Sequence, residues 1–328
     1  AYITDAPTYA GFNARAGLCQ HATIFSVEMD GEGPLPDVMR AQIRAAREAG
    51  YFVPFYYTVP DGHNPGGFSF TQQRRQAVLD VVREEGILIV EDAPYLYINF
   101  AKPQDRPKPF FSMAPDQVVH LFTGSKIGFP GPRVGFLYSE AELEISQGQS
   151  VPLSDLALVE SSSELLFHNP GALRGFEALL HKRTADGGFE EHNSMWPLAE
   201  DKLVVHRENR QILLDTLQRE LSAYPESFAW TMPDGGFFTV FTFLGGGPNG
   251  AVRTDDALIE QMVLQHGLVV IPMYDFYPKD ARERDPDAGM NQLRLSFCFS
   301  ESAGQVRRDD MAEAVSAFCK AAKALAGV

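Results

Sequence analysis

Polar residues that could carry chemistry follow several apolar runs along the chain. Asn64, Asp92 and Lys126 each come shortly after a different run, Arg133 follows the lysine by seven residues, and Arg294 lies within a late run. A lysine amine can bond a carbonyl carbon, a carboxylate can pair with a cation, and a guanidinium binds phosphate or carboxylate through a planar fork of donors. Ligands bind at the carboxyl ends of strands in open α/β sheets, so these residues are candidates for one binding site.

Each residue taken alone also has a simpler interpretation. The segment Asn64-Pro65-Gly66-Gly67 is a common turn sequence, and Asp92 could cap a helix. The run that ends at Asp92 is similar to the acidic strand of a P-loop ATPase, but the chain has no GxxxxGK[ST] motif. The glycines over 128–135 do not form a GxGxxG after a strand, so the sequence does not predict a dinucleotide site.

The apolar runs of the first half alternate with helical patterns. Residues 1–4 already resemble the inside of a strand, and we predict further strands over 22–27, 55–59, 87–90, 118–122 and 134–137. A helix is predicted over 35–47, and a second one opens with a capping box at Ser69 and Gln72 and ends before Gly86. Such runs between helices are typical of a parallel sheet covered on both faces, which indicates an α/β fold.

The second half has a different pattern. Helices are predicted over 200–221, over 255–265 and from Ser302 onwards, and strands over 228–231, 237–243, 268–271 and 293–299. The segment 278–289 is rich in charge and proline, which predicts an exposed insertion. We therefore predict a first domain over 1–190 and a smaller α+β domain over 191–328.

Composition narrows the class of protein. The chain has 328 residues and a net charge of −15, which disfavours binding to nucleic acid or to anionic membranes. No apolar run is long enough to span a membrane, and no metal-binding motif occurs. The three cysteines, Cys19, Cys298 and Cys319, are predicted to be buried or half-buried free thiols in a reducing compartment, the cytoplasm or an organelle.

The order and spacing of the candidate residues resembles the class I/II aminotransferases, the fold-type-I enzymes that use pyridoxal 5′-phosphate (PLP). The kynurenine and α-aminoadipate aminotransferase group is the most similar. The matching stretches are 7–9, 57–67, 74–75, 89–95, 123–135, 233–238 and 293–297. The resemblance implies a large PLP-binding domain with a mostly parallel sheet covered by helices, and a smaller C-terminal α+β domain.

The resemblance also implies a role for individual residues. Lys126 would form the Schiff base with PLP and move the substrate proton, and Asp92 would pair with the pyridine nitrogen. Together with Tyr95 these would be the catalytic residues. The residues implied to hold the cofactor are Tyr9, Asn64, Asp92, Tyr95, Thr123, Ser125, Lys126 and Arg133. Arg294, with Asn64, would bind the substrate carboxylate.

The activity implied is transfer of an amino group from an L-amino acid to a 2-oxo acid by a homodimer. Aromatic, kynurenine-like or aminoadipate-like donors are expected. A PLP-dependent carbon–sulfur β-lyase and a non-catalytic aminotransferase-like regulatory domain stay open as alternatives. The family's N-terminal arm, first helices and one phosphate-holding turn have no counterpart before Pro7-Thr8-Tyr9, so we expect the N-terminal part of the family fold to be absent from this chain.

Overall fold

A computed structural model describes residues 1–19, 22–128, 130–166 and 169–328 of the chain. Phe129, within the predicted 123–135 motif, lies outside these ranges. The chain divides into two compact units. The segments of unit 1 are Ala1–Asp5, Val27–Asp61 and Ser69–Leu203, and those of unit 2 are Ala6–Ser26, Gly62–Phe68 and Val204–Val328. The division between domains at residue 190 stays a prediction.

The secondary structure alternates strands and helices in the first half, as the apolar runs predict. The strands are β1 (Tyr2–Ala6), β2 (Ile24–Asp30), β3 (Gly33–Pro34), β4 (Phe55–Thr58), β5 (Leu88–Asp92), β6 (Val118–Thr123), β7 (Gly135–Tyr138), β8 (Glu142–Ser146), β9 (Gln149–Pro152), β10 (His181–Arg183), β11 (Phe189–Glu191), β12 (Phe228–Trp230), β13 (Phe238–Phe243), β14 (Ile271–Pro272) and β15 (Gln292–Ser296). The α-helices are α1 (Ala10–Ala16), α2 (Pro36–Glu48), α3 (Gln72–Glu85), α4 (Phe110–Met113), α5 (Leu153–Leu165), α6 (Pro170–Glu177), α7 (Trp196–Leu221), α8 (Asp256–His266), α9 (Lys279–Arg284) and α10 (Gly304–Ala326).

A large sheet positions most of the candidate residues. Across the part of the chain that the structure describes, its seven strands run in the order β3-β2-β1-β4-β5-β6-β7. Strands β1, β4, β5 and β6 pair in parallel, so their carboxyl ends meet at one edge. The mostly parallel sheet confirms the α/β fold class.

The edge strand β7 corrects one detail of that prediction. The apolar run over 134–137 was expected to join the parallel, covered sheet. Strand β7 instead pairs antiparallel with β6, and all four of its residues are exposed. An apolar run predicts a strand, but it does not determine the direction in which the strand pairs or whether its faces are buried, since both depend on tertiary neighbours.

Helix α3 follows the sheet strand β4 and shows how local sequence sets the element bounds. Its N-cap is Thr71, whose hydroxyl accepts from the backbone N–H of Arg74 at 3.1 Å. The predicted capping residue, Ser69, is therefore wrong by two positions. Gly86 ends the helix with φ +62°, as predicted, because a left-handed C-cap favours glycine. The buried face of α3 comprises Val78, Leu79, Val81 and Val82.

Unit 2 contains an antiparallel sheet in the order β12-β13-β15-β14. Helix α10 buries Met311, Val315 and Phe318 at helical spacing. The segment 278–289 is exposed over 282–287, as its composition predicts, but it is not only a loop. It contains α9, whose Asp280 accepts from the N–H and hydroxyl of Ser26 at 2.7 and 2.8 Å.

The cysteines are free, as predicted, but only Cys319 is buried; Cys19 and Cys298 are exposed. Burial raises the pKa of the Cys319 thiol to about 12. Among the helices that the structure describes, none is long and apolar enough to cross a membrane.

Candidate functional site

The candidate residues of unit 1 gather at the carboxyl edge of the parallel strands. Asp92 is the last residue of β5, and the hydroxyl of Tyr57 on the neighbouring strand β4 donates a hydrogen bond to its Oδ2 at 2.7 Å. Tyr57 pairs in register with Val90, two residues before Asp92. Side chains two residues apart on a strand share a face, so Tyr57 and Asp92 lie on the same face of the sheet.

The Asp92 carboxyl has a perturbed pKa. Burial raises this pKa above its ordinary value, while the hydrogen bond from Tyr57 lowers it. The charges of His120 and Lys126 also lower it. Burial thus makes the ionised form costly, and a cation at this carboxylate would relieve the cost.

Lys126 lies in the segment that follows β6. Its Nζ is 5.8 Å from the centroid of the Tyr95 ring. The Tyr95 side chain is buried, whereas Lys126 is exposed. The lysine amine is therefore accessible beside a fixed aromatic ring that comes three residues after Asp92.

Three polar side chains after β6 form a hydrogen-bonded cluster. The Thr123 hydroxyl donates to Ser125 Oγ at 3.0 Å, and Arg133 Nη1 donates to the same oxygen at 3.2 Å. Arg133 reaches this position with φ +58°, a left-handed conformation that is costly for a residue with a side chain. Two hydroxyls and a guanidinium in contact make up a donor set suited to an anion such as phosphate.

A second lysine amine lies beside the same segment. Gly128, two residues after Lys126, has φ +113°, and a β-carbon at this position would collide with the amine of Lys202 on α7. The left-handed backbone conformation favours glycine at this position. Lys202 was not singled out by the sequence, and Tyr57 lies in the matching stretch 57–67 but was given no role there.

A cavity of about 820 Å³ lies next to Asp92 and Thr123 on unit 1. Its other walls come from β6, β7 and α5 and are mostly apolar, with Phe122, Phe136 and Leu158 among them. A mostly apolar cavity with a few polar groups at one side is the usual form of a small-molecule site.

In unit 2 the structure brings Arg294 and Asn64 together. The Arg294 guanidinium donates to Asn64 Oδ1 at 2.7 Å. Its central carbon lies 4.1 Å from the centroid of the Phe238 ring and 4.7 Å from that of Phe276. Both rings are buried, so the guanidinium is held between two aromatic groups.

Two further contacts in unit 2 involve glycines. Gly67, three residues after Asn64, has φ +75°, and a β-carbon there would collide with the carbonyl oxygen of Phe238. Tyr9 is half exposed at the start of α1, and its ring lies against Gly11. The loop that carries Asn64 thus packs on the strand β13 that carries Phe238.

Comparisons with known proteins give relatives along most of the chain. It is 28% identical over 304 residues to (S)-3,5-dihydroxyphenylglycine transaminase from Amycolatopsis orientalis, covering 90% of this chain and 60% of the relative. It is 27% identical over 258 residues to the mitochondrial kynurenine/alpha-aminoadipate aminotransferase of Mus musculus, covering 76% and 51%. The chain thus spans about three fifths or less of the length of these two relatives. No protein-family model matches it.

A solved structure supplies the deciding likeness of fold. The Pyrococcus horikoshii kynurenine aminotransferase, solved with PMP and kynurenine, matches with a TM-score of 0.75 and 21% identity over 98% of this chain and 69% of its own. The chain has the fold of the fold-type-I aminotransferases. Its homologues are aminotransferases of that type.

Proposed function

We propose that this protein is a PLP-dependent aminotransferase. The observation that carries the proposal is the juxtaposition at one sheet edge of Asp92, a carboxylate with a raised pKa, and the accessible amine of Lys126. The Thr123–Ser125–Arg133 cluster lies in the same segment as the lysine. The aminotransferase names of the homologues support the proposal.

The chemistry of these donors fits PLP. Asp92 suits a protonated ring nitrogen, because a cation relieves the cost of its burial. Thr123, Ser125 and Arg133 suit the phosphate, and Lys126 suits the aldehyde carbon. Tyr9, Asn64 and Tyr95 are proposed to contact the ring. When bound, PLP supplies an electron sink for the bonds at the substrate α-carbon.

The residues of this chain would supply binding and proton transfer. Lys126 Nζ would hold the cofactor aldehyde and, once the substrate amine takes its place, accept the proton from the substrate α-carbon. An amine suits this task because it can both bond a carbonyl carbon and carry a proton. Asp92 would stay ionised and orient the ring, and Tyr95 would support the lysine side chain from its buried position.

Arg294 would bind the substrate α-carboxylate. Its guanidinium already lies between Phe238 and Phe276, so little conformational freedom is lost when a carboxylate binds. The Arg294 guanidinium has five N–H donors, one of which donates to Asn64 Oδ1. A carboxylate fixed in this way fixes the direction of the bond that breaks.

We further propose an aromatic, kynurenine-like or aminoadipate-like amino donor and a 2-oxo acid acceptor. The names of the homologues support this range of donors and favour transfer over the β-lyase alternative. A non-catalytic regulatory role is less well supported, because the lysine, aspartate and arginine set is complete. A homodimer and a reducing compartment, cytoplasmic or organellar, remain predictions from the sequence.

A panel of donors and acceptors tests this function. The protein is loaded with PLP and incubated with aromatic, kynurenine and aminoadipate donors and 2-oxoglutarate. The proposal predicts one glutamate for each donor consumed. Pyruvate and ammonia released from a cysteine conjugate, without glutamate, would instead support the lyase. No product from any donor by PLP-loaded protein would overturn the proposal of an enzyme.

A further inference from the structure

A buried row of polar side chains crosses the parallel strands on the face opposite Asp92. Thr58 on β4 pairs in register with Glu91 on β5, and Glu91 pairs with His120 on β6. Successive side chains alternate between faces, so Glu91 points away from the side that carries Asp92. Glu91 is fully buried, and His120 is 7% exposed.

Glu91 is held by three donors. Its Oε1 accepts from the backbone N–H of Phe110 at 2.7 Å, and its Oε2 accepts from that of Phe111 at 3.1 Å. Nδ1 of His120 lies 2.8 Å from the same Oε2. The Phe111 ring lies 4.3 Å from the imidazole, centroid to centroid, and covers it. Glu91 therefore joins β5, β6 and α4 at one point.

Two buried carboxylates and one buried guanidinium surround this point. Arg75, fully buried, donates to Asp61 Oδ1 at 2.7 Å and lies 3.9 Å from Glu91. Two buried carboxylates thus share one guanidinium, and buried charge needs a partner of opposite sign. From β7, the hydroxyl of Tyr138, which pairs in register with His120, donates to Glu140 and supplies no cation. A protonated imidazole at His120 would add a second positive charge beside Glu91.

This network lies next to Asp92 in the sheet. Glu91 directly precedes Asp92, and Leu121, the neighbour of His120, pairs in register with Asp92. The charge of His120 lowers the pKa of Asp92, as does that of Lys126 on the other side. The imidazole therefore acts on Asp92 through the peptide bond that follows Glu91 and through its charge.

We propose that His120 is a positioning residue for Asp92: held by Glu91, it fixes the end of β5 and places a positive charge that keeps Asp92 ionised for the cofactor. The proposal rests on the proposed function, since it concerns the cofactor-facing carboxylate. It predicts that the charge of His120, and not only its hydrogen bond, affects cofactor binding.

Matched variants separate charge from hydrogen bonding. His120→Asn and His120→Gln keep a side-chain N–H toward Glu91 and remove the titratable ring, and His120→Phe removes both. His181→Asn, a substitution of the same kind on the hairpin strand β10, is the control. The dissociation constant of PLP is measured between pH 5 and pH 8 for each protein, and far-UV circular dichroism checks the fold.

The wild type and the control are expected to lose PLP affinity at low pH with one common midpoint. In His120→Asn or His120→Gln that midpoint should rise by about one pH unit, with affinity at pH 8 within about twofold of wild type. His120→Phe should bind more weakly at every pH. If a folded amide variant shows the same dependence of PLP affinity on pH as the wild type, the inference is overturned. If both amide variants fail to fold, His120 is only structural and the inference is wrong.

The same experiment keeps the two proposals apart. A wild-type protein that binds no PLP at any pH would overturn the proposed function, and the inference with it. If the wild-type protein binds PLP, and the His120 variants show the same pH dependence of PLP affinity as the wild type, the inference alone is overturned.

Discussion

The Tyr57 hydroxyl donates a 2.7 Å hydrogen bond to Oδ2 of Asp92, across adjacent parallel strands. A donor to the ionised form lowers the pKa of a carboxyl, so Tyr57 opposes the effect of burial on Asp92. The relationship connects the chemistry at the sheet edge to β4, whose Tyr57 begins the matching stretch 57–67.

Tyr57→Phe is therefore expected to weaken PLP binding about tenfold at pH 6, since a hydrogen bond to a charged group contributes about 1.5 to 3 kcal/mol. Cofactor titration by absorbance measures the change. Tyr56→Phe is the matched control, because the Tyr56 hydroxyl donates to Asp5. Equal losses of affinity in the two variants would show that Tyr57 has no specific effect on Asp92.

Asp5 gives a pH dependence of stability. Burial raises its pKa to about 7, against an ordinary 3.8 in the unfolded chain. A raised native pKa means that stability is highest below the unfolded pKa and is lost as pH rises through the native one. The loss between pH 4 and pH 8 is on the order of 4 kcal/mol.

Asp5→Asn should remove most of that loss, because the amide cannot ionise. Urea unfolding at pH 5 and pH 8 measures it. Asp37→Asn, at a fully exposed side chain, should retain the wild-type pH dependence. If Asp5→Asn and wild type lose the same free energy of unfolding between the two pH values, Asp5 is not the group responsible.

The left-handed backbone of Arg133 predicts opposite effects on stability and binding. Arg133→Gly should raise the free energy of unfolding of the cofactor-free protein by about 1 kcal/mol, because glycine adopts φ +58° without strain. It should weaken PLP binding at least tenfold through loss of the guanidinium. Arg133→Lys, which keeps both the strain and the charge, should bind with intermediate affinity. Wild-type affinity in Arg133→Gly would exclude Arg133 from the phosphate site.

The buried pair of Arg75 and Asp61 predicts strong energetic coupling. Arg75→Met leaves buried carboxylates without their guanidinium, so it should cost about 3 to 5 kcal/mol in urea unfolding. Asp61→Asn should cost less, because Glu91 also lies 3.9 Å from Arg75. The double variant should cost less than the sum by more than about 1 kcal/mol. Arg253→Met, in an exposed pair with Asp287, should cost less than about 1 kcal/mol. Additive single effects would contradict the coupling.

The residues at the ends of strands and helices are predicted well from the sequence, because local sequence patterns specify these ends. Asp92 and Thr123 end strands that apolar, β-branched runs specify, and Gly86 ends a helix because a left-handed C-cap favours glycine. The order of Asn64, Asp92, Lys126, Arg133 and Arg294 along the chain, with the stretches around them, indicated the fold-type-I likeness that the solved structures show.

Contacts between residues that are far apart in the sequence could not be predicted from local patterns. Glu91 and His120 are 29 residues apart, and their pairing depends on the register of β5 and β6. Tyr57 begins the matching stretch 57–67, but its contact with Asp92 depends on the pairing of β4 with β5. The exposed edge of β7 and the helix α9 depend on neighbours that composition does not specify.

The most direct test of the account is the site of covalent attachment of PLP. The protein is incubated with PLP, reduced with borohydride, digested and analysed by mass spectrometry. The account predicts a phosphopyridoxyl group on Lys126, with Lys202 unmodified and no label in Lys126→Ala. A label on Lys202 instead, or no label on a folded protein saturated with PLP, would contradict the assignment of Lys126 as the residue that holds the cofactor.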